Sequence, residues 1–457
     1  MRLQRYKKKN EMRKFFFIII AVLVFGLYGC ESKTTTVSST SSIAKLSSFS
    51  FANNDSMPGL AQAVFTIEER LDTGFVYNKD SILYGTRLDS VVPKFTFAAT
   101  PGAAFLTFPD TTVVLTGYDT LDFNKKPVYL TVRSSDKTAT KTYQIDARVH
   151  QADPDLYIWE QLNTGVYPTD DSEQRVVTKG NNFVMMVSNG FALKAFTSAD
   201  GIAWSNLGAP SGLPSGTKVR QIISDGTTLY YGQDSAIYTS TDAITWTATQ
   251  TDYAVQTMLL YWNDQVWALV TNGTNYELAT FADGALNLSG LQPDGEFPIS
   301  DFAAVTFQSA SERQRAMIIG GFAENGKSLN TRWNLEYSRH IEGNNGYRMQ
   351  EFSIDRPAFT SLTGISVISY NEQLLLFGGV DEEITYFGRD ILISEDEGLN
   401  WFAADTTKNQ LPEVYQARQK QTAIVRDNTI YLFGGQDANT TFSDVYKGRL
   451  NSIDWDN

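Results

Sequence analysis

Arginines and carboxylates have the most chemistry to offer in this chain. Arg220, Arg313, Arg315, Arg389 and Arg426 fall on hydrophobic segments with strand character or in the loops beside them. Guanidiniums gathered in one cleft grip a carboxylate through paired N–H bonds. Two carboxyl groups across a glycosidic bond supply the acid, base or nucleophile of its hydrolysis. No three of these arginines recur at equivalent places in the repeats described below, so a carboxylate-gripping triad is not expected. Asp381-Glu382-Glu383 lacks the alternating oxygen spacing of a calcium loop and reads as a solvated turn. The histidines number two, His150 and His340, which excludes a histidine-rich metal site and gives poor support to a Ser-His-Asp triad. No metal, cofactor or catalytic residue is therefore assigned.

Cys30 is the one cysteine of the chain, and it carries a different chemistry. No disulfide can form within the chain, and no cysteine cluster is available for zinc. Seven basic residues and a single acid, Glu11, occupy the first 14 positions, followed by an apolar run from Phe15 to Tyr28. That run is too short to cross ~30 Å of hydrocarbon comfortably and has the layout of a secretory signal peptide. Leu27-Tyr28-Gly29-Cys30 resembles a bacterial lipobox, in which the cysteine is acylated and becomes the mature N-terminus. The resemblance implies a signal peptide over 1–29, lipid attachment at Cys30 and residence at the outer membrane, with the side left open. An uncleaved signal anchor is the alternative. Cleavage removes seven cations and one acid from a chain of net charge −13, which leaves −19. With no basic stripe, nucleic acid is excluded as a partner.

Three regions follow. Residues 30–46 hold the lipidated cysteine and a Ser/Thr-rich stretch that reads as a flexible tether. Residues 47–149 alternate with the period of two expected of half-buried strands, about seven of them, as in "AFLTF" at 104–108 and "KTYQIDARV" at 141–149. This is the strand count of a small β-sandwich. Asp122-Phe123, the run from Pro127 to Val132 and Lys141-Thr142-Tyr143-Gln144-Ile145 resemble a Bacteroidetes-type immunoglobulin-like domain. Tyr129 and Tyr143 read as packing residues rather than ligand contacts.

Residues 150–457 repeat themselves. A polar turn, a hydrophobic strand and a small residue recur at 180–188, 225–232, 262–270, 313–321, 370–379 and 426–435. A second phrase follows: "TSADGIAW" at 197–204, "TSTDAITW" at 239–246, a decayed "TFADGALN" at 280–287, and "SEDEGLNW" at 394–401. Spacings of 42 to 54 residues with several strands per unit fit a β-propeller. Six copies argue for six blades. "DLYIWEQL" at 155–162 reads as an extra outer strand; if it opens a further blade, the count is seven.

Ser198, Asp200 and Trp204, Ser240, Asp242 and Trp246, and Ser394, Asp396, Gly398 and Trp401 resemble the Asp-box of sialidase-type propellers, an edge turn remote from the central site. The first two copies are one residue shorter, so tighter turns are expected there. Gly320-Gly321, Gly378-Gly379 and Gly434-Gly435, with Tyr446 and Trp455, resemble kelch repeats, in which the glycine doublet lets strands crowd. Together these resemble Bacteroidetes-type lipoproteins that combine the two modules. The expected protein is all-β, a sandwich followed by a six-bladed propeller. It would be held at the membrane by lipid and would bind an envelope protein or glycan, with a glycan-active hydrolase, lyase or epimerase as the alternative. A Cys30→Ala protein should leave the membrane fraction on cell fractionation, whereas continued attachment would indicate a signal anchor.

Overall fold

The computed structural model describes residues 40–71, 73–163, 173–293, 295–309, 313–353 and 361–451; Cys30, most of the tether and Trp455 lie outside them. The chain divides into two compact units, Met1–Gln151 and Ala152–Asn457. The described residues of the first hold eight strands where alternation suggested about seven. They are β1 (Leu46–Phe51), β2 (Phe65–Glu68), β3 (Thr73–Asn78), β4 (Pro93–Phe97), β5 (Ala103–Thr107), β6 (Thr112–Val114), β7 (Val128–Arg133) and β8 (Thr140–Asp146). Six of them form a sheet in the order β2-β3-β8-β7-β5-β6, while β1 pairs with β4. β3 and β8 run parallel, and the remaining neighbours are antiparallel.

Alternation places Val128, Leu130 and Val132 of β7 in one core with Tyr143 and Ile145 of β8 and the rings of Phe49, Phe51 and Phe123. Tyr143 is fully buried, and its hydroxyl accepts from Leu46 N (3.0 Å) and donates to Glu69 Oε1 (2.9 Å). Burial pushes that phenol up to about 12. Tyr129 is half-buried.

In the second unit β9 (Tyr157–Asn163) precedes four-stranded meanders. β10 (Glu173–Lys179), β11 (Asn182–Ser188), β12 (Leu193–Ser198) and β13 (Ser205–Gly208) make the first. A six-stranded sheet follows: β14 (Ile223–Ser224), β15 (Leu229–Ser240), β16 (Thr247–Trp262), β17 (Gln265–Asn272), β18 (Asn275–Ala282) and β19 (Ala285–Leu288). Next come β20 (Ala303–Gln308), β21 (Gln314–Ile319), β22 (Thr331–Tyr337) and β23 (Tyr347–Ser353). The following sheet is β24 (Ser366–Tyr370), β25 (Gln373–Phe377), β26 (Leu392–Ser394) and β27 (Phe402–Ala403). The last sheet is β28 (Thr422–Arg426), β29 (Thr429–Phe433) and β30 (Val445–Leu450), with β9 added on the far side of β30. The segment at 155–162 therefore supplies an outer strand to the last sheet.

Three polar turns of the first repeated phrase share one geometry. Asn263-Asp264, Asn371-Glu372 and Asp427-Asn428 all have positive φ at both positions, as a two-residue type I′ hairpin requires. They set the register in which the first strand of each repeat meets the second. The six-stranded sheet departs from the expectation of separate units. β16 pairs through Thr247–Gln250 with β15 and through Ala254–Trp262 with β17, and register shifts mark where it bends. One long strand thus serves two repeats.

Hydrophobic clusters fill the spaces between neighbouring sheets, counting the six-stranded sheet as two curved halves. Val184 and Met186 meet Tyr231 and Trp246; Ile223 and Ile237 meet Val266 and Phe281. Trp267 meets Ile318 and Trp333; Met317 and Ile319 meet Leu376 and Trp401; Leu375 and Phe377 meet Ile430 and Tyr446. Phe183 and Met185 of the first sheet meet Phe433 and Val445 of the last.

Arg418, 1% exposed, anchors the loop before β28. Its guanidinium pairs with Asp444, donates to Gly434 O (3.0 Å), and lies over the rings of Phe442 and Tyr415. Removing one member of such a pair strands the other charge. An Arg418→Met protein should lose about 3–5 kcal/mol in the second unit. All eight tryptophans follow residue 151, so urea unfolding followed by their fluorescence reports that unit alone.

Candidate functional site

The first strands of the repeats line a single cavity of about 230 Å³. β10 contributes Glu173 and Arg175, β14 Ile223, β16 Thr257 to Leu259, β20 Ala303 and Ala304, β24 Ser366 and Val367, and β28 Ala423. Lys218, Arg220 and Gln221, from the loop and 3-10 turn before β14, and Ser300 to Phe302, from the loop before β20, complete the wall. Small side chains at Ala303, Ala304, Ser366 and Ala423 keep the space open.

Two of the charged side chains in the wall, Arg220 and Asp301, are paired. Arg220 Nε donates to Asp301 Oδ1 (3.0 Å), and its Nη1 donates to the carbonyl of Lys420 (2.7 Å). Lys420 Nζ stands 3.3 Å from the second oxygen of Asp301. The backbone carries the same link: Lys420 N donates to Gly364 O (2.6 Å), and Gly364 N donates to Asp301 O (2.8 Å). Three loops from different sheets are thus tied by one guanidinium and one carboxylate. Arg175 is different. Its side chain makes no hydrogen bond or ion pair among the described residues, and its Nε is buried. Desolvation, followed by repulsion from Arg220, pushes it down to about 10, so it is a cation at neutral pH.

Of the five arginines singled out in the sequence, only Arg220 lines the cavity. Arg313 and Arg315 pair with Glu336 on the face of the β21–β22 hairpin, together with Arg348. Arg389 donates to Leu411 O, and Arg426 to Asn181 O and Ala199 O over the ring of Phe183. His150 belongs to the first unit and His340 to the loop after β22, and neither lines the cavity. Asp381 folds its own turn by accepting from Glu383 N and Thr385 N. No cluster of metal-ligating side chains occurs among the described residues. Sequence reading missed Arg175 and Lys218. The available signal was "EQRVV", a charged pair at i and i+2 opening a strand, which puts both charges on one face.

The Ser/Asp/Trp stretches sit in the turns from β12 to β13, from β15 to β16 and from β26 to β27. Gly201 N donates to Ser198 Oγ (2.8 Å), Ile202 N and Ala203 N donate to Asp200 Oδ1, and Trp204 Nε1 closes on Gly201 O (3.1 Å). Ala243 N on Ser240 Oγ, Ile244 N and Thr245 N on Asp242 Oδ1, and Trp246 Nε1 on Ala243 O repeat this. In the third copy Gly398 N reaches Ser394 Oγ (2.8 Å) and Asn400 N reaches Asp396 Oδ1 (2.7 Å), each across four residues, while Trp401 is buried. The shorter copies close across three, which makes the tighter turn. The stretch at 280–287 does not form this turn: Ala282 pairs with Ala285 around a two-residue Asp283-Gly284 turn, which leaves no loop for a serine and an aspartate to organise.

None of these residues lines the cavity; Ser394 and Asp396 line a separate groove beside Phe307 and Glu372. The glycine doublets follow β21, β25 and β29 with positive φ throughout. A Cβ on Gly378 would stand 2.6 Å from Arg418 O, and Gly379 N donates to that same carbonyl (2.9 Å). Gly321 N likewise donates to Leu362 O (2.9 Å), and Gly435 O accepts from Gln174 Nε2 (3.2 Å). Each doublet lets the backbone touch the loop or strand that opens the next sheet.

The family model described as the DUF6242 beta propeller domain matches residues 153–457, and that for the DUF6242 N-terminal domain matches residues 32–147. The chain belongs to the DUF6242 family. Its second unit is a β-propeller. No curated protein matches the sequence. Among solved structures, that of YjhT is similar at 14% identity and a TM-score of 0.45, over 62% of this chain and 95% of that one.

The turn aspartates couple stability to acid. Backbone N–H donation from Thr245 and then Ile244, against a smaller cost of desolvation, holds Asp242 down at about 2 from an ordinary 3.8. A depressed carboxyl stabilises the fold above its unfolded value and loses that contribution as pH falls through the folded one. The side chain is exposed, so screening reduces the gain. Asp242→Ala should cost about 1 kcal/mol at pH 7. Its deficit against wild type in urea melts should narrow between pH 3.8 and about 2.

Proposed function

We propose that this chain is a lipid-anchored binding protein of the cell envelope, held at the outer membrane through Cys30. Its first unit would be an immunoglobulin-like sandwich and its second a six-bladed propeller, joined to the membrane by the tether of residues 30–46. Six inner strands around one cavity, and β9 completing the last sheet, support the count of six over seven. The Ser/Asp/Trp turns and the glycine doublets are consistent with Asp-box and kelch elements that serve the scaffold.

The cavity carries the functional reading. Its wall mixes charged, hydroxyl and apolar side chains in a space suited to a small ligand or the tip of a larger one. The ligand would be a glycan or an envelope protein. Asp301 already has Arg220 on one oxygen and Lys420 on the other, which suits a carboxylate that holds the site in shape. A glycan-active enzyme is the second reading, favoured by the presence of Glu173 and Asp301 in the same cavity.

Detergent-solubilised full-length protein on a glycan array, with affinities then measured in solution, separates the two. Saturable retention without turnover is the expected result. Saturable turnover of a bound glycan, lost in Glu173→Gln, would overturn the binding reading.

A further inference from the structure

We propose that the central cavity is a site for a carboxylate, with the guanidinium of Arg175 as its principal receptor and Arg220 and Lys218 as the supporting positive field. The inference deepens the binding reading above and rests on it. The observation is one of unmatched charge. In a chain of net charge −13 with 51 acidic residues, counter-charges are abundant. The other enclosed arginines of the propeller have found partners: Arg418 has Asp444, Arg220 has Asp301, and Arg332 donates to the carbonyl of Glu397 (3.0 Å). Of the two arginines lining the cavity, Arg175 is the one whose side chain makes no hydrogen bond among the described residues. Glu173, two residues away on the same strand and in the same wall, forms no ion pair with it.

Leaving a walled guanidinium unpaired is costly, and a second guanidinium in the same wall adds repulsion. A carboxylate removes both costs, because its two oxygens accept a pair of parallel N–H bonds from the planar fork. Arg220 cannot swing in to compete, since Asp301 and the Lys420 carbonyl hold its head. The rest of the wall says what the carboxylate is attached to. Thr257 Oγ1 donates to Met258 O, and Ser366 Oγ donates to Gln421 O (2.6 Å), so both hydroxyls keep lone pairs as acceptors. Apolar surface from Leu259, Ile365 and Val367 is available to a carbon skeleton. The ligand is thus a small hydroxylated acid, either free or as an acidic unit ending a glycan.

Titration calorimetry on the full-length protein in detergent, with glucuronate, acetate and neutral glucose as probes, tests the site. Glucuronate should bind saturably and glucose at least ten-fold more weakly. Arg175→Met should weaken glucuronate at least ten-fold, and Arg175→Lys by less. Lys447→Met, a change to a β30 cation that pairs with Glu160 and lies outside the cavity, should leave affinity unchanged. A second readout keeps a folding defect from passing as support. Without ligand, Arg175→Met should melt at or above the wild-type temperature, since an unpaired charge has been removed. A marked fall in melting temperature would mean that Arg175 is a structural residue and would overturn the proposal. So would equal affinity for glucuronate and glucose, or undiminished glucuronate binding in Arg175→Met.

A disaccharide ending in glucuronate, run beside the free acid, separates the two sources. Tighter binding of the disaccharide assigns a glycan end, and equal or weaker binding assigns the free acid. Capture of neutral glycans alone on the array would sink the carboxylate site and leave the binding reading standing. Retention of nothing by any probe would sink both.

Discussion

No sheet of the propeller can bury both of its faces by itself, and the rest of the unit follows from that constraint. Each sheet presents an apolar row to the sheet before it and another to the sheet after it. Trp267 against Trp333, Met317 against Trp401 and Phe183 against Phe433 are three of the resulting seams. The last seam joins the first sheet to the final one, so the core of one sheet is never complete until its neighbour has docked. Solenoids and propellers share this property, in which stability resides in the interfaces between units as much as in the units. The glycine doublets belong to the same constraint: the end of each hydrophobic second strand must come within a hydrogen bond of the loop that starts the next sheet, and a Cβ at Gly378 would occupy the space of that carbonyl.

Packing the sheets this way leaves their first strands facing one another across a common space, and the residues there decide what the molecule can do. Alanines and serines hold the space open. Charge is confined to β10 and to the loops before β14 and β20. The protein treats its enclosed arginines in two ways. Arg418 is wrapped by Asp444 and three aromatic rings and has become part of the core. Arg175 stands in the wall of the cavity with neither. Both are guanidiniums in low-dielectric surroundings. What separates them is whether the fold supplies a counter-charge.

Much of the architecture was legible because it is local and repeated. Three of the polar turns before a hydrophobic strand, Asn263-Asp264, Asn371-Glu372 and Asp427-Asn428, make a type I′ turn. Ser198, Ser240 and Ser394 each find an aspartate two residues on, because that distance suits a side chain folding back on its own loop. The chemistry was less legible. Arg220 was among the arginines considered, yet nothing at position 220 announces Asp301 or the Lys420 carbonyl as its partners, 81 and 200 residues away. Arg175 was passed over because it lies in no repeated phrase. The pairing of β16 with two neighbours was hidden for the same reason, since hydrophobic periodicity shows that a strand continues but not that it changes partner midway.

By itself, then, the sequence determined that this protein is built from repeated β units whose turns, tight hairpins and glycine exits are written within spans of a few residues. It also determined that counter-charges would be plentiful. Only the tertiary structure decided which charges meet. The cavity is assembled from residues spread from position 173 to 423, and its electrostatics depend on which side chains end up enclosed together. Local propensity acts over a turn or a strand, whereas desolvation and charge repulsion act through space. That is why the scaffold could be read along the chain and the site could not.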